Sequence, residues 1–531
     1  MRLGCEVTAI DINPVAWFIL KCTLEYPQRL AGQTRPLPCF ALESKEFMSS
    51  YWKSKGNNRR GRSGKYEATQ SIMLEPPEAD LSWHVRAWGH WVLERARKNL
   101  ERFYPTIGGK PTVAYLWART VTCKNCRATL PLLKTLWLCR KDNKRYRLEI
   151  RKRPDKSGVD FEVVEEPVVG GNAAQRREHD RRVGQGTMSR TGAWCPVCGT
   201  PNTVAMTIDD IRAEGMAGRL GIQMTAVVVD GPRGKEYRLP TPEELYAAEE
   251  AASHLEEVFK DIPFGLPMEP TPTGGGSGAG RAFSVQNYGM TTWSSLFTPR
   301  QLVALGTFVK HTRAAREAMR TEGYPPEWVE AISGYLALAV DQIANRSSTL
   351  CTWTVTRQTI RSTFARYALP ITWDFAEPGI LEDASGGYPA ATTWVALYIA
   401  HALIFMKTSP LPKSLQRSAV QPLGETYDII VTDPPYYDAI PYSDAMDFFH
   451  VWLRRALYGL SPDTDKAFDN QTGPKWNHEK NDGELIDDAG RFGGDAEKSR
   501  DVYENGMFHA FQACHEALKP EGCMVVVFAN K

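Results

Sequence analysis

The sequence predicts an α/β fold in which a largely parallel sheet is interrupted by a long insertion, and three observations predict it. Tyr427–Thr432 reads YDIIVT, carries no charge after Asp428, and has the look of a strand buried on both faces. It stops at Asp433-Pro434-Pro435-Tyr436, where two prolines cannot continue a ladder; the chain must leave the sheet at the carboxyl edge, where open α/β sheets place their ligands. Near the other end, residues 5–10 read as a second buried strand closed by Asp11, and two Cys-x-x-Cys pairs lie in the stretch between.

Asp-Pro-Pro-Tyr at a sheet edge suits methylation of an amino group on a nucleobase. The nitrogen of an exocyclic amine is a poor nucleophile because its lone pair is delocalised into the ring. An enzyme must therefore accept its two N–H bonds and bend it toward tetrahedral geometry. The Asp433 carboxylate can accept one, and the Pro434 carbonyl, held in direction by Pro435, the other. Tyr436 offers a ring on which an extruded base can stack, worth roughly 1–3 kcal/mol.

The tetrapeptide after a hydrophobic strand resembles motif IV of the amino-group DNA methyltransferases that use S-adenosylmethionine. The longer DPPYYDAIPYSDAMDFFHVWLRR is similar to the adenine-specific DNA methylases that carry a zinc ribbon, and the similarity runs from GCEVTAIDINPVA to VVVFANK. The resemblance implies a Rossmann-like S-adenosylmethionine-dependent methyltransferase sheet, DNA as partner, and adenine rather than cytosine as the base. Asp433, Pro434, Pro435 and Tyr436 would be catalytic, with direct displacement on the sulfonium methyl. Asp11, followed by Ile12 and Asn13, would bind the donor through its ribose, as an acid ending the second strand does in nucleotide-binding folds; the competing reading is that Asp11 only caps the helix that Asn13-Pro14 begins. The resemblance also places a glycine-rich turn before residue 1 and two closing strands after residue 531, so a polypeptide supplying the glycine-rich segment is an expected partner. The alternatives are a non-catalytic DNA-binding fragment, one half of a split methyltransferase, or an amino-group methylase of cytosine or RNA. Restriction-modification or phage defence is the implied setting.

Composition is compatible with this. A chain of 531 residues with 42% hydrophobic content should hold two or more domains. Its net charge of +2 provides no global attraction to nucleic acid, so any such binding needs local patches. Eleven cysteines, an odd count, argue against a secreted disulfide framework. No signal peptide opens the sequence and the longest apolar run, residues 394–406, is too short to span a bilayer, so the expected address is the cytoplasm, with no membrane contact.

Cys123, Cys126, Cys195 and Cys198 can give four thiolates to one tetrahedral structural zinc; Gly199 permits a tight turn behind the second pair, and Arg127 stands where the first would have its glycine. The intervening residues read as an inserted β-hairpin region, with LEIRKRP and FEVVEEPVV as strands. Between residues 134 and 156 ten basic residues face three acidic ones, and Arg176, Arg177, Arg181, Arg182 and Arg190 continue the excess, which suggests a DNA-docking module.

Four parts are expected: a partial Rossmann-like half at 1–50, a zinc-ribbon insertion with basic β-hairpins at 105–240, a helical insertion at 241–410 that holds target recognition, and a catalytic half at 411–531. Met1 to Gly4 reads as a helix end capped by Gly4, and residues 53–65 as a basic loop. Helices are expected over 81–103, 241–259, 298–319, 326–345 and 502–518. Residues 394–406 read as a buried helix, 442–458 as a helix with Phe448, Phe449, Val451 and Trp452 facing inward, 461–500 as a polar mobile lid beside the site, and 523–529 as a last buried strand. Arg357, Arg361 and Arg366 are candidates either for a nucleic-acid groove or for structural roles.

Overall fold

The first strand, β1 (Thr8–Asp11), is shorter than residues 5–10 suggested and ends where Asn13 and Pro14 start α1 (Pro14–Leu20). The computed structural model describes residues 4–55, 76–199, 203–273, 282–437 and 441–527; Met1 to Leu3, most of the basic 53–65 loop and residues 528–531 lie outside them. Gly4 has the left-handed φ of 82° expected of a cap. Asp80 caps α2 (Leu81–Leu100) by accepting from the N–H groups of Ser82 and Trp83; Trp88, Trp91 and Leu100 enter the core and Trp83 packs on Phe47 and Tyr51.

The insertion starts with β2 (Thr112–Thr122), β3 (Thr129–Leu132), and a meander of β4 (Trp137–Lys141), β5 (Lys144–Lys152) and β6 (Val159–Glu165). A short α3 (Ala173–Val183) follows, then β7 (Gly221–Val229) and β8 (Glu236–Arg238). Thr241 opens the next helix, expected from residue 241, with a capping box to Glu244. The long helices α4 (Pro299–Thr321) and α5 (Pro326–Ser347) lead to β9 (Asp374–Pro378) and α6 (Tyr388–Met406). The chain ends with β10 (Lys413–Gln416), β11 (Tyr427–Thr432), α7 (Tyr442–Leu457), α8 (Ala496–Glu516) and β12 (Leu518–Val526).

The protein is thus mixed α/β, as expected, with an antiparallel curled sheet at its centre: β8-β7-β2-β9, with β3 also on β2. Register shifts in β7 between Met224 and Ala226, and between Val228 and Val229, bend it. Its β2 comes from the expected 105–240 part and its β9 from the 241–410 part, so one sheet spans both. A continuous core joins α1, α2, α4, α5 and α7, with Trp328, Trp452 and Phe448 wholly enclosed; each such side chain contributes roughly 1.5–3 kcal/mol.

Across the core a buried ion pair bolts α4 to β9. Arg300 meets Glu377 in a fork of 2.8 and 2.9 Å, each side chain 1% exposed, and Glu377 also accepts from Tyr104 Oη and Trp117 Nε1.

Two expectations need correction. β11 is not buried on both faces: Ile429 is 62% and Val431 66% exposed. It pairs in parallel only with β12, against which α8 packs, and no element among the described residues covers the Ile429–Val431 side. β12 is likewise largely exposed. The second correction concerns α6. It begins at Tyr388, is 19 residues long and is apolar enough to cross a membrane by length and composition; Trp394, Leu397, Ile404 and Phe405 face outward, so it is not the buried helix foreseen from residues 394–406. Its length and uniform apolarity hide which side is packed, because a helix apolar all round shows no stripe.

Candidate functional site

The β11–β12 ladder ends with Val527 N–H donating to the Thr432 carbonyl at 2.8 Å, and Asp433-Pro434-Pro435-Tyr436 leaves the sheet there. Pro434 is buried and Asp433 exposed. Tyr436 Oη donates to Asp433 Oδ1 at 2.7 Å, an arrangement that sequence reasoning, which gave the ring only a stacking role, did not anticipate. From α8, Tyr503 Oη donates to the Pro435 carbonyl, and the Tyr503 ring lies 4.6 Å from that of Tyr437. Tyr437 donates to Glu504 at 2.6 Å, and that bond pushes its phenol up to about 12.

At the other parallel pair, β1 with β10, Asp11 Oδ1 accepts from the Asn13 N–H at 2.8 Å while Asn13 Oδ1 accepts from Val15 N–H at 2.9 Å. The capping reading of this segment has its physical counterpart, with the work divided: Asn13 caps α1 and Asp11 orders the turn before it. Burial raises the Asp11 carboxyl above its ordinary value, against the lowering effect of the Asn13 N–H. A cleft of about 220 Å³ opens at the carboxyl ends of β1 and β10, lined by Ile12, Pro14, Gln416, Arg417, Ser418 and, across it, Thr472. This is the place where parallel α/β units bind ligands, although the volume is below the roughly 300–1,000 Å³ of small-molecule pockets. Asp433 to Tyr436 do not line it, and no ladder joins β1 to β11 among the described residues. The structure brings Ile12 and Pro14 to a cleft and sets the prolines at a separate sheet end.

Residues 472 and 474, which line that cleft, flank a polar cluster that the sequence reading missed. Asp447 on α7 accepts from the Gly473 N–H at 2.6 Å and from Lys475 Nζ at 2.8 Å; the same ammonium reaches Ser443 Oγ at 2.8 Å and Asp444 at 3.2 Å. Arg491 bridges Asp444 at 2.8 Å and Glu484 at 2.7 Å. Burial pushes the Asp447 carboxyl up to about 6, with Lys475 pulling the other way. His450, one turn on, is driven down to about 3 by burial and then by Arg454, Lys475 and Arg455, and so is neutral. The signal was present as Asp444 and Asp447 three residues apart on a helix, facing Lys475 and Arg491 in the polar segment. Residues 461–500, expected as a mobile lid, are tied to α7 by these bonds and carry a helix at Pro462–Ala467.

The four cysteines converge as expected: the sulfurs of Cys123, Cys126, Cys195 and Cys198 all lie within 4.8 Å of one another and can hold a metal such as zinc. Matching bonds close the two knuckles, Arg127 N–H to Cys123 O and Gly199 N–H to Cys195 O, both 2.9 Å. Arg127 adopts the left-handed conformation, φ 65°, that a glycine would take more cheaply. Gly199 is needed for space, since a Cβ there would stand 2.9 Å from the Cys195 carbonyl oxygen.

The basic stretch is less positive than it reads. Arg145 pairs with Asp180, Arg147 with Glu166 at 2.7 Å, Arg151 with Glu162 at 3.0 Å and Arg153 with Asp160 at 2.9 Å. Arg357, Arg361 and Arg366 are exposed.

The geometry defines a mixed α/β protein with, among the described residues, two parallel strand pairs and a cluster of four cysteines. Comparison with protein families, with curated proteins and with solved structures finds no match to this chain.

Proposed function

We propose that the protein is an S-adenosylmethionine-dependent methyltransferase acting on the exocyclic amino group of adenine in DNA, with its parallel strand pairs as parts of a Rossmann-like sheet. The observation that carries this reading is the Asp-Pro-Pro-Tyr turn standing directly off the carboxyl end of a parallel strand. Asp433 uses one oxygen to hold the Tyr436 hydroxyl, which orients the carboxylate and leaves the other oxygen to accept an amine N–H. The Pro434 carbonyl accepts the second N–H, Pro435 fixes its direction, and the tethered Tyr436 ring is the stacking surface. When bound, the donor supplies an electrophilic methyl on a sulfonium. Gln416 and Ser418 in the cleft, with Asp11, Ile12 and Asn13 at its edge, fit the polar ribose end of such a donor. The cleft is too small for the remainder of the donor, which on this reading lies outside it. The four thiolates hold structural zinc.

The separation of the cleft from the Asp433 turn favours a second reading, a non-catalytic DNA-binding protein or one half of a split methyltransferase. Calorimetry with S-adenosylmethionine and transfer of labelled methyl into duplex DNA separate the two. An Asp433→Ala variant is expected to keep DNA binding and lose incorporation by a factor of 100 or more, on the order of 3 kcal/mol. Incorporation unchanged in that variant refutes the assigned role, and DNA binding without donor binding supports the second reading.

A further inference from the structure

The zinc-bearing insertion presents a helix that contributes nothing to any core. No residue of α3 is buried. Eleven residues of helix are marginal in water without an apolar face to pack, so something else must hold it, and the structure shows a polar mount along one side. Trp137 Nε1 donates to the Asp180 carbonyl at 3.0 Å, and Arg145, its guanidinium over the Trp137 ring, pairs with the Asp180 carboxylate. His179 meets Glu166 at 2.9 Å, and Gly184 ends the helix where a Cβ would strike the Trp137 indole. At the other end Asn172 and Gln175 form a reciprocal capping box.

At 100° per residue His179, Asp180 and Val183 share the mounted side, which leaves Arg177, Glu178, Arg181 and Arg182 across the opposite side. All four are exposed. Glu178 is engaged by Arg181 at 2.6 and 3.0 Å. Arg177 donates only to a backbone carbonyl, and Arg182 has no ion-pair partner among the described residues. The sequence mixes acids and bases here; folding turns Asp180 inward and leaves the arginines outward.

We propose that the outer face of α3 is a docking element for the phosphate backbone of duplex DNA, an inference that rests on the DNA reading given above. The only apolar residue on this face is the small Ala174, so it lacks the aromatic and aliphatic centre of a protein interface and the broad apolar side that an interfacial helix buries in lipid. What remains is a row of planar guanidiniums, which suits phosphate oxygens. Along its axis the helix is about 16 Å long, enough to follow one wall of a major groove about 12 Å wide.

The test is fluorescence anisotropy of the full chain with a short labelled duplex of mixed sequence, across a salt series. Each phosphate contact steepens the dependence of affinity on salt by about 0.9 in log–log slope. An R177Q/R182Q variant should therefore show a slope shallower by about 1.8. Between about 50 and 200 mM salt it should lose roughly 12-fold less affinity than wild type. Glu178→Gln, which frees Arg181, should move the slope the other way by about 0.9, a change that damage to the fold does not mimic. Wild type and both variants sharing one slope overturns the proposal while leaving DNA binding intact. A wild-type protein that does not bind the duplex overturns the DNA reading itself, and this inference with it.

Discussion

Removal of Arg300 tests how the central sheet is fastened to the helices. The guanidinium is fully enclosed; burial works against its charge, but Glu377 more than offsets this and holds its pKa above the ordinary value. Substituting methionine keeps most of the volume and deletes two charge-assisted bonds to Glu377, at 2.8 and 2.9 Å, and one of 3.2 Å to the Phe103 carbonyl. At about 1.5–3 kcal/mol for each charged bond the loss is about 3–6 kcal/mol, in line with the roughly 3–5 kcal/mol found when one partner of a buried pair is removed. The cause is the stranded carboxylate of Glu377, left with only Tyr104 Oη and Trp117 Nε1. Neutralising it should therefore recover stability: in R300M/E377Q the amide oxygen can still accept from Tyr104 or Trp117 and no buried charge is left unpaired. Urea unfolding of the wild type, both single variants and the double variant closes the cycle. A double variant no more stable than R300M refutes the reasoning, as does a loss below about 1 kcal/mol in R300M, within the range of an exposed pair.

The Asp447 carboxyl, raised by burial from its ordinary 3.8 to about 6, binds its proton more tightly folded than unfolded. Its contribution is therefore complete below about pH 4 and is lost as pH rises through 6, about 3 kcal/mol in all; unfolding free energies of wild type minus Asp447→Asn should fall across that window, and a flat difference disproves the assignment. Gly473→Ala places a methyl 3.1 Å from Asp447 Oδ1 and 3.3 Å from Asn13 Nδ2 and Ser443 Oγ, and should cost about 1–3 kcal/mol in a melt, with no loss at all counting against the packing described. Metal analysis should find one zinc per chain, and Cys195→Ser should lower zinc retention at least tenfold against a competing chelator; equal retention would mean that the four sulfurs do not share an ion.

Much of the architecture was legible because it is local. The Thr241 capping box marks a helix start that the structure places at Pro242, since a side chain bonding the amide three residues on depends on nothing distant, and apolar periodicity marks the one the structure places at Pro299. Cys-x-x-Cys knuckles behave alike, and the two pairs meet despite the meander inserted between them. Less was legible at the candidate site. The Tyr436 to Asp433 bond spans three residues and depends on rotamers that no spacing rule sets. The cluster of Asp447, Gly473 and Lys475 links residues 26 and 28 positions apart.

By itself the sequence determined most of the long helices, the stop after Thr432 and each Cys-x-x-Cys knuckle, all properties of residues a few positions apart. Only the tertiary structure decided that β2 and β9 share one sheet, that β11 lies open on one side and that α3 turns its arginines outward. The reason is physical: hydrophobicity states what a segment prefers to bury, while burial and charge pairing depend on which distant surface arrives to cover it, as Asp180 shows by meeting Arg145 across 35 residues of chain.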